Sequence, residues 1–111
     1  MKLSITSLEL KNPFAFFTLS FYSMRIIGQL KKSKCVTFKT TGFWTKHYTQ
    51  SLWNNEEEMK NFMRSGAHLE CMKKASVFAK EIRILTIDAS ELINWKEAKN
   101  KLKTDAKVYS Y

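Results

Sequence analysis

The sequence predicts an α+β domain built in the order strand, helix, strand, strand, helix, strand, with one antiparallel sheet carrying two helices on one face. Three observations lead there. Two stretches repeat apolar residues at helical spacing, four others are dense in β-branched and aromatic residues, and the punctuation between them is short. With 111 residues, 44% hydrophobic and 14% aromatic, the chain has the length of a single domain, 1–111, and apolar surface for an ordinary core. That excludes a disordered tail, and three Gly and one Pro leave little room for long loops.

Leu3 to Leu10 alternates and is rich in β-branched residues, as a strand does. Asn12-Pro13 marks a helix start, because Asn caps well and Pro is favoured in the first helical position. Phe14, Phe17, Phe21, Met24 and Ile27 then fall at three-to-four spacing, the expected buried face of a helix reaching about Leu30. Lys31, Lys32 and Lys34 suit the negative end of its dipole. This segment is too short to span a membrane. Only 13 uncharged residues separate Lys11 from Arg25, against the roughly 20 that a spanning helix needs. Glu9 upstream and the lack of a small-residue cleavage site count against a secretory signal.

Cys35 to Thr41 and Trp44 to Trp53 are rich in Val, Thr, Phe, Tyr and Trp and predict two strands joined by a turn at Thr41-Gly42-Phe43. Either Asn54 or Asn55 can cap the next helix, with a Glu three residues on to complete a capping box and Glu56-Glu57-Glu58 in the dipole-favoured first turn. Met59, Phe62 and Met63 give that helix its buried stripe. Ser65-Gly66 bends or interrupts it, and Leu69, Met72 and Ala75 carry the period to about Ala79. Glu81 to Ala89 is a fourth strand. Ser90 or Asn94 caps a short charged helix through Lys103, and a polar tail follows. The whole is the ferredoxin-like βαββαβ arrangement with a four-stranded antiparallel sheet. In the last strand Ile82 and Ile84 point one way, and Leu85, Ile87 and Ala89 the other. Two helices cover only one face, so the second needs a ligand, the chain's own last segment or the sheet of a second subunit, and a homodimer is the simplest cover.

The chemistry is less marked. Lys and Arg total 19 against 10 Asp and Glu, and residues 1–50 hold eight of the basic and one of the acidic residues. Cys35 and Cys71 belong to no ligand spacing, so no metal is expected and both read as reduced thiols of a cytoplasmic protein. Neither a phosphate-binding loop nor a nucleophile elbow occurs. His47 with Tyr48 on the third strand, Trp53 at its end and His68 in the second helical region are the candidate site residues. Imidazole is the side chain suited to ligating a metal or moving a proton near neutral pH. The Glu56 to Glu58 run reads as a solvated, dipole-complementing face rather than paired catalytic carboxylates.

Phe38-Lys39-Thr40-Thr41-Gly42, Gln50-Ser51-Leu52-Trp53, Glu58-Met59-Lys60-Asn61-Phe62 and Ser65-Gly66-Ala67-His68 together resemble the core stretch of spheroidene monooxygenase-like proteins. These stand with the antibiotic-biosynthesis monooxygenases in the dimeric α/β-barrel superfamily. The resemblance implies a ferredoxin-like protomer paired sheet to sheet, with a pocket for a small apolar or aromatic molecule that reacts with oxygen, either at haem or without a cofactor. It also implies pattern positions at Trp53, Phe62 and His68, so His68 is the candidate catalytic residue, and His47, Tyr48, Trp53 and Phe62 are the candidate pocket residues. The haem-degrading branch carries an Asn on its first strand and a helical Trp ahead of its His. Here the first strand has Ser4, Thr6 and Ser7, position 58 is Glu, and Phe62 stands where that Trp would align.

Two other readings compete. A basic, aromatic-bearing sheet also describes a single-stranded RNA-binding module, and Gly42-Phe43 echoes its signature, but the next stacking position is Thr45. A non-catalytic dimeric binding or structural protein would keep the barrel without the reaction. The expectation is therefore a homodimer with a small-molecule ligand, and neither a membrane nor a nucleic-acid partner.

Overall fold

A computed structural model describes residues 1–111. The elements are β1 (Lys2–Leu10), α1 (Ala15–Lys32), β2 (Thr37–Phe43), β3 (Lys46–Trp53), α2 (Glu56–Met63), α3 (Gly66–Phe78), β4 (Ala79–Asp88), α4 (Trp95–Asp105) and β5 (Lys107–Ser110). The sheet order is β2-β3-β1-β4-β5, with every neighbouring pair antiparallel. The fold is thus the ferredoxin-like α+β arrangement, with five strands rather than the four expected. Lys107–Ser110, expected as a polar tail, pairs with the outer edge of β4, Tyr109 opposite Ile82. All four of its residues are exposed, so backbone hydrogen bonding and not apolar patterning makes it a strand.

The two sheet faces carry different cores. Leu8 and Leu10 of β1 with Ile82 and Ile84 of β4 pack beneath α1 and α3, against Leu19, Cys71, Ala75 and Phe78. The alternate residues, Leu3, Ile5, Leu52, Leu85 and Ile87, pack on the opposite face against Ala98 and Leu102 of α4. Of the three covers the sequence left open, the chain's own last segment therefore lies over the centre of the second face. Gln50, fully buried on that face, fixes it there: its Nε2 donates to Ile93 O at 2.9 Å and its Oε1 accepts from Ile93 N at 3.0 Å. Each fully buried Leu or Ile contributes about 1.5–3 kcal/mol, so both faces hold the sheet.

Helix α1 corrects the sequence reading. Phe14, Phe17, Phe21 and Met24, expected as its buried face, are 81, 74, 59 and 76% exposed. The inward face is instead Ala15, Leu19, Tyr22, Ile26 and Leu30, an equally regular series. The first half of the helix is apolar nearly all round, so its period identifies a helix without saying which stripe meets the sheet. Asn12 still organises the start, its Oδ1 accepting from Ala15 N at 3.0 Å, but through a turn at residues 11–14 that delays the helix to Ala15.

The β2-β3 turn also moves, from Thr41-Gly42-Phe43 to Trp44-Thr45, because Phe43 pairs with Lys46. Gly42 stays within β2, where any Cβ would collide with the His47 ring on the neighbouring strand. In α2 Asn55 is the cap, its Oδ1 accepting from Glu58 N at 2.9 Å. The reciprocal half of the capping box is not made, and Glu58 Oε2 is left without a partner. At the other end of the chain Asn94, not Ser90, caps α4 through Glu97 N at 2.8 Å.

Candidate functional site

A cavity of about 380 Å³ lies between the inner face of the sheet and helices α1 and α3. Its floor is made by short hydroxyl side chains, Ser4, Thr6, Thr49 and Ser51, from β1 and β3, and α1 supplies Leu19, Ser20, Ser23, Ile26 and Ile27 overhead. Small residues at these positions leave the gap that larger ones would fill. Phe62, Met63, His68, Cys71 and Met72 close the side formed by α2 and α3. No Lys, Arg, Asp or Glu lines it. A charged ligand would meet no opposite charge there, so the wall suits a neutral one.

His68 belongs to this wall and is held at three points. Its Nδ1 hydrogen-bonds Met63 O at 3.1 Å. Since a carbonyl only accepts, Nδ1 carries the proton and Nε2 is left with a free lone pair and no protein partner. Its backbone N donates to Gln29 Oε1 at 2.9 Å, and Phe62 meets its ring edge-on with centroids 5.2 Å apart. Burial holds its pKa below the ordinary value, only partly offset by the bond to Met63, so the imidazole stays neutral at neutral pH.

Gln29 is the residue the sequence did not point to. From α1 its Nε2 donates to Ser65 O at 2.9 Å and to Phe62 O at 3.2 Å while its Oε1 takes the His68 N–H, clamping the joint between α2 and α3. Gly66 makes that joint, with φ at +57, a backbone region L side chains rarely adopt, and with the Gln29 amide at 3.1–3.2 Å from where a Cβ would stand.

The other candidates divide. His47 faces the cavity, its ring 5.8 Å from Phe16 and its Nε2 donating to Trp44 O at 3.0 Å. Tyr48 is one residue on and lines the cavity near its backbone, but its ring is on the opposite face, 6.3 Å from Trp95 and beneath Lys99. Trp53 does not reach the cavity. It is 1% exposed, donates from Nε1 to Ser51 Oγ at 2.9 Å and packs behind Phe62 at 5.2 Å. The cysteines are both free; Cys71 is at the wall with its thiol pushed up to about 11, first by burial and then by the charge of Glu70. A haem here would find one imidazole nitrogen, His68 Nε2, but no cation on the wall for its propionates.

This fold, a ferredoxin-like sheet with helices on its inner face, is shared with solved structures named as antibiotic biosynthesis monooxygenases. The particular likenesses are distant in sequence. A protein of Deinococcus radiodurans, provisionally named an antibiotic biosynthesis monooxygenase, superposes with a TM-score of 0.69 at 13% identity over 85% of this chain and 97% of that one. A similarly named protein of Nitrosomonas europaea gives 0.69 at 7% identity over 82% and 100%. A conserved protein of Methanosarcina mazei gives 0.71 at 15% over 80% and 92%. No protein-family model matches the chain, and no curated protein matches it.

Proposed function

We propose that the chain binds a small, uncharged apolar or aromatic molecule in the cavity beneath α1, and that a homodimer of it oxygenates that molecule with His68 as the base, without haem. The carrying observation is the uncharged wall with one neutral, buried imidazole whose Nε2 is free. Oxygenation without haem makes the substrate its own reductant: His68 Nε2 takes a proton from an activated CH2, the carbanion gives its electrons to O2 and bonds it as a hydroperoxide, and loss of water from that hydroperoxide leaves a carbonyl. Phe62 bears on the ring, and Trp53 supports Phe62 from behind. The monooxygenase-like names of the structural neighbours agree with this reading. The free thiols fit a reducing cytoplasm.

Titration with the neutral fluorophore N-phenylnaphthylamine tests the cavity. Saturable binding is expected, lost in Ser23→Phe, which fills the space under α1. Oxygen uptake with phenolic aromatics is expected to fall at least about a hundredfold in His68→Ala. Binding that ignores Ser23→Phe would remove the cavity from the reading, and a haem absorbance band that depends on His68 would overturn the cofactor-free chemistry. Sedimentation at twice the 13.0 kDa chain mass is the expected result for the homodimer, and a strict monomer would refute it.

A further inference from the structure

The outer face of α1 is an apolar ridge that packs against no other element of the fold, its side chains meeting only neighbours on α1 itself. Phe14, Phe17, Phe21 and Met24 stand on consecutive turns, all exposed, and the ridge continues along the same face into Lys31 and Lys32. No acidic residue occurs in α1, and its Arg25 is already paired with Glu70 of α3 at 2.8 Å. At the end of the molecule where α1 begins, the β2-β3 turn exposes two more aromatics, Phe43 at 84% and Trp44 at 67%, stacked on each other and flanked by Lys46. The two features are neighbours: Phe16 of α1 lies 5.8 Å from the His47 ring, and Leu10 N, just ahead of α1, donates to Thr45 O at 2.8 Å.

Trp44 adds an independent observation. Its φ of 60 places it in the left-handed region at the first position of a two-residue hairpin turn, where Gly is the favoured residue. A bulky side chain held there against its backbone preference, and mostly in solvent, contributes little to the fold that Gly would not.

We propose that this face, the α1 ridge with the Phe43-Trp44 turn, docks the protein on an anionic lipid surface. Aromatic residues on the apolar side and lysines at the flank are the composition of helices that lie in a bilayer interface, and the lysines complement acidic headgroups. A second copy fits the ridge less well, because self-pairing would bring Lys31 and Lys32 of each chain to a helix that carries no acidic residue to meet them. The docking is parallel to the surface. No helix is long and apolar enough to cross a membrane. It goes beyond the expectation of no membrane partner, which rested on the length of the segment as a span, and it does not depend on what the cavity binds.

Flotation of the full chain with phosphatidylcholine vesicles, with and without phosphatidylserine, tests it. The chain is expected to float with the phosphatidylserine vesicles, to be released by added salt, and to show an indole emission shifted to the blue on binding. Phe14→Ser/Phe17→Ser/Phe21→Ser should lower the bound fraction at least about tenfold with far-ultraviolet dichroism unchanged, since these side chains are already in solvent. Trp44→Gly relieves the backbone, so it should weaken binding several-fold while leaving the fold as stable or more so. The proposal is overturned if the chain fails to bind phosphatidylserine vesicles at low salt, or if binding ignores both variants. It is equally overturned if the serine variant turns a wild-type oligomer into monomers, which would assign the ridge to a second copy.

Discussion

Replacing Gln29 by alanine removes the clamp that joins α1 to the break between α2 and α3, and its cost can be worked from the bonds lost. The amide donates to Ser65 O at 2.9 Å and to Phe62 O at 3.2 Å, and accepts from His68 N at 2.9 Å. A net contribution of about 1 kcal/mol applies to each of the two part-buried bonds, and less to the exposed one at Ser65, whose carbonyl recovers water. Alanine returns a few tenths of a kcal/mol as the better helix former. The loss is therefore about 2 kcal/mol, or roughly 8 °C in Tm for a domain of this size. Equilibrium urea unfolding should show a lower midpoint with an unchanged slope. A companion variant isolates the joint. Gly66→Ala suffers about 1–2 kcal/mol from the positive φ in either background. With Gln29 present, the new Cβ also meets an amide tied by hydrogen bonds, so the substitution should cost more in wild type than in Gln29→Ala. A Gln29→Ala loss below about 0.5 kcal/mol, or an equal Gly66→Ala cost in both backgrounds, would refute the clamp.

The remaining predictions concern His68 and Gln50. The folded-state pKa of His68 lies below its ordinary 6.5, so the unfolded chain takes up the proton first. Stability should hold above that value, fall as pH drops through it, and level off once the folded imidazole is also protonated. Urea midpoints across this window check the fall, and His68→Phe should flatten it. Gln50→Leu leaves the Ile93 N–H and C=O unpaired beneath the lead-in to α4 and should cost about 2–4 kcal/mol, with faster amide exchange at the start of α4. Exchange unchanged there would show that α4 is held by its apolar contacts alone.

Much of the fold is legible because strands announce themselves twice, by composition and by alternation. Ile82, Ile84, Leu85 and Ile87 predict a two-faced strand, and both faces are filled. Asn55 and Gly66 are legible for a different reason, since a cap and a break require particular residue types. The buried face of α1 is not, because two apolar stripes compete and only the sheet chooses between them. β5 is invisible for the opposite reason, having no buried side chain to leave a pattern. Around the cavity, His68 and Phe62 lie side by side and His47 joins the same wall, while Tyr48 turns away by strand alternation and Trp53 sits one layer back. Gln29 and Gln50 escape notice because a clamp made by one amide has no period and no partner residue type. Only the backbone groups it meets define it.

The exposure of Phe14, Phe17 and Phe21 makes the evolutionary record of this helix unusually easy to read. These positions carry little of the folding load, Phe17 touching Phe16 and Phe21 touching Tyr22 and Arg25 only at the surface, so drift should replace them with polar residues in any lineage where the surface is idle. Lineages that keep aromatics there, while freely exchanging Leu19 or Ile26 for other core residues, would reveal selection acting on a contact outside the fold.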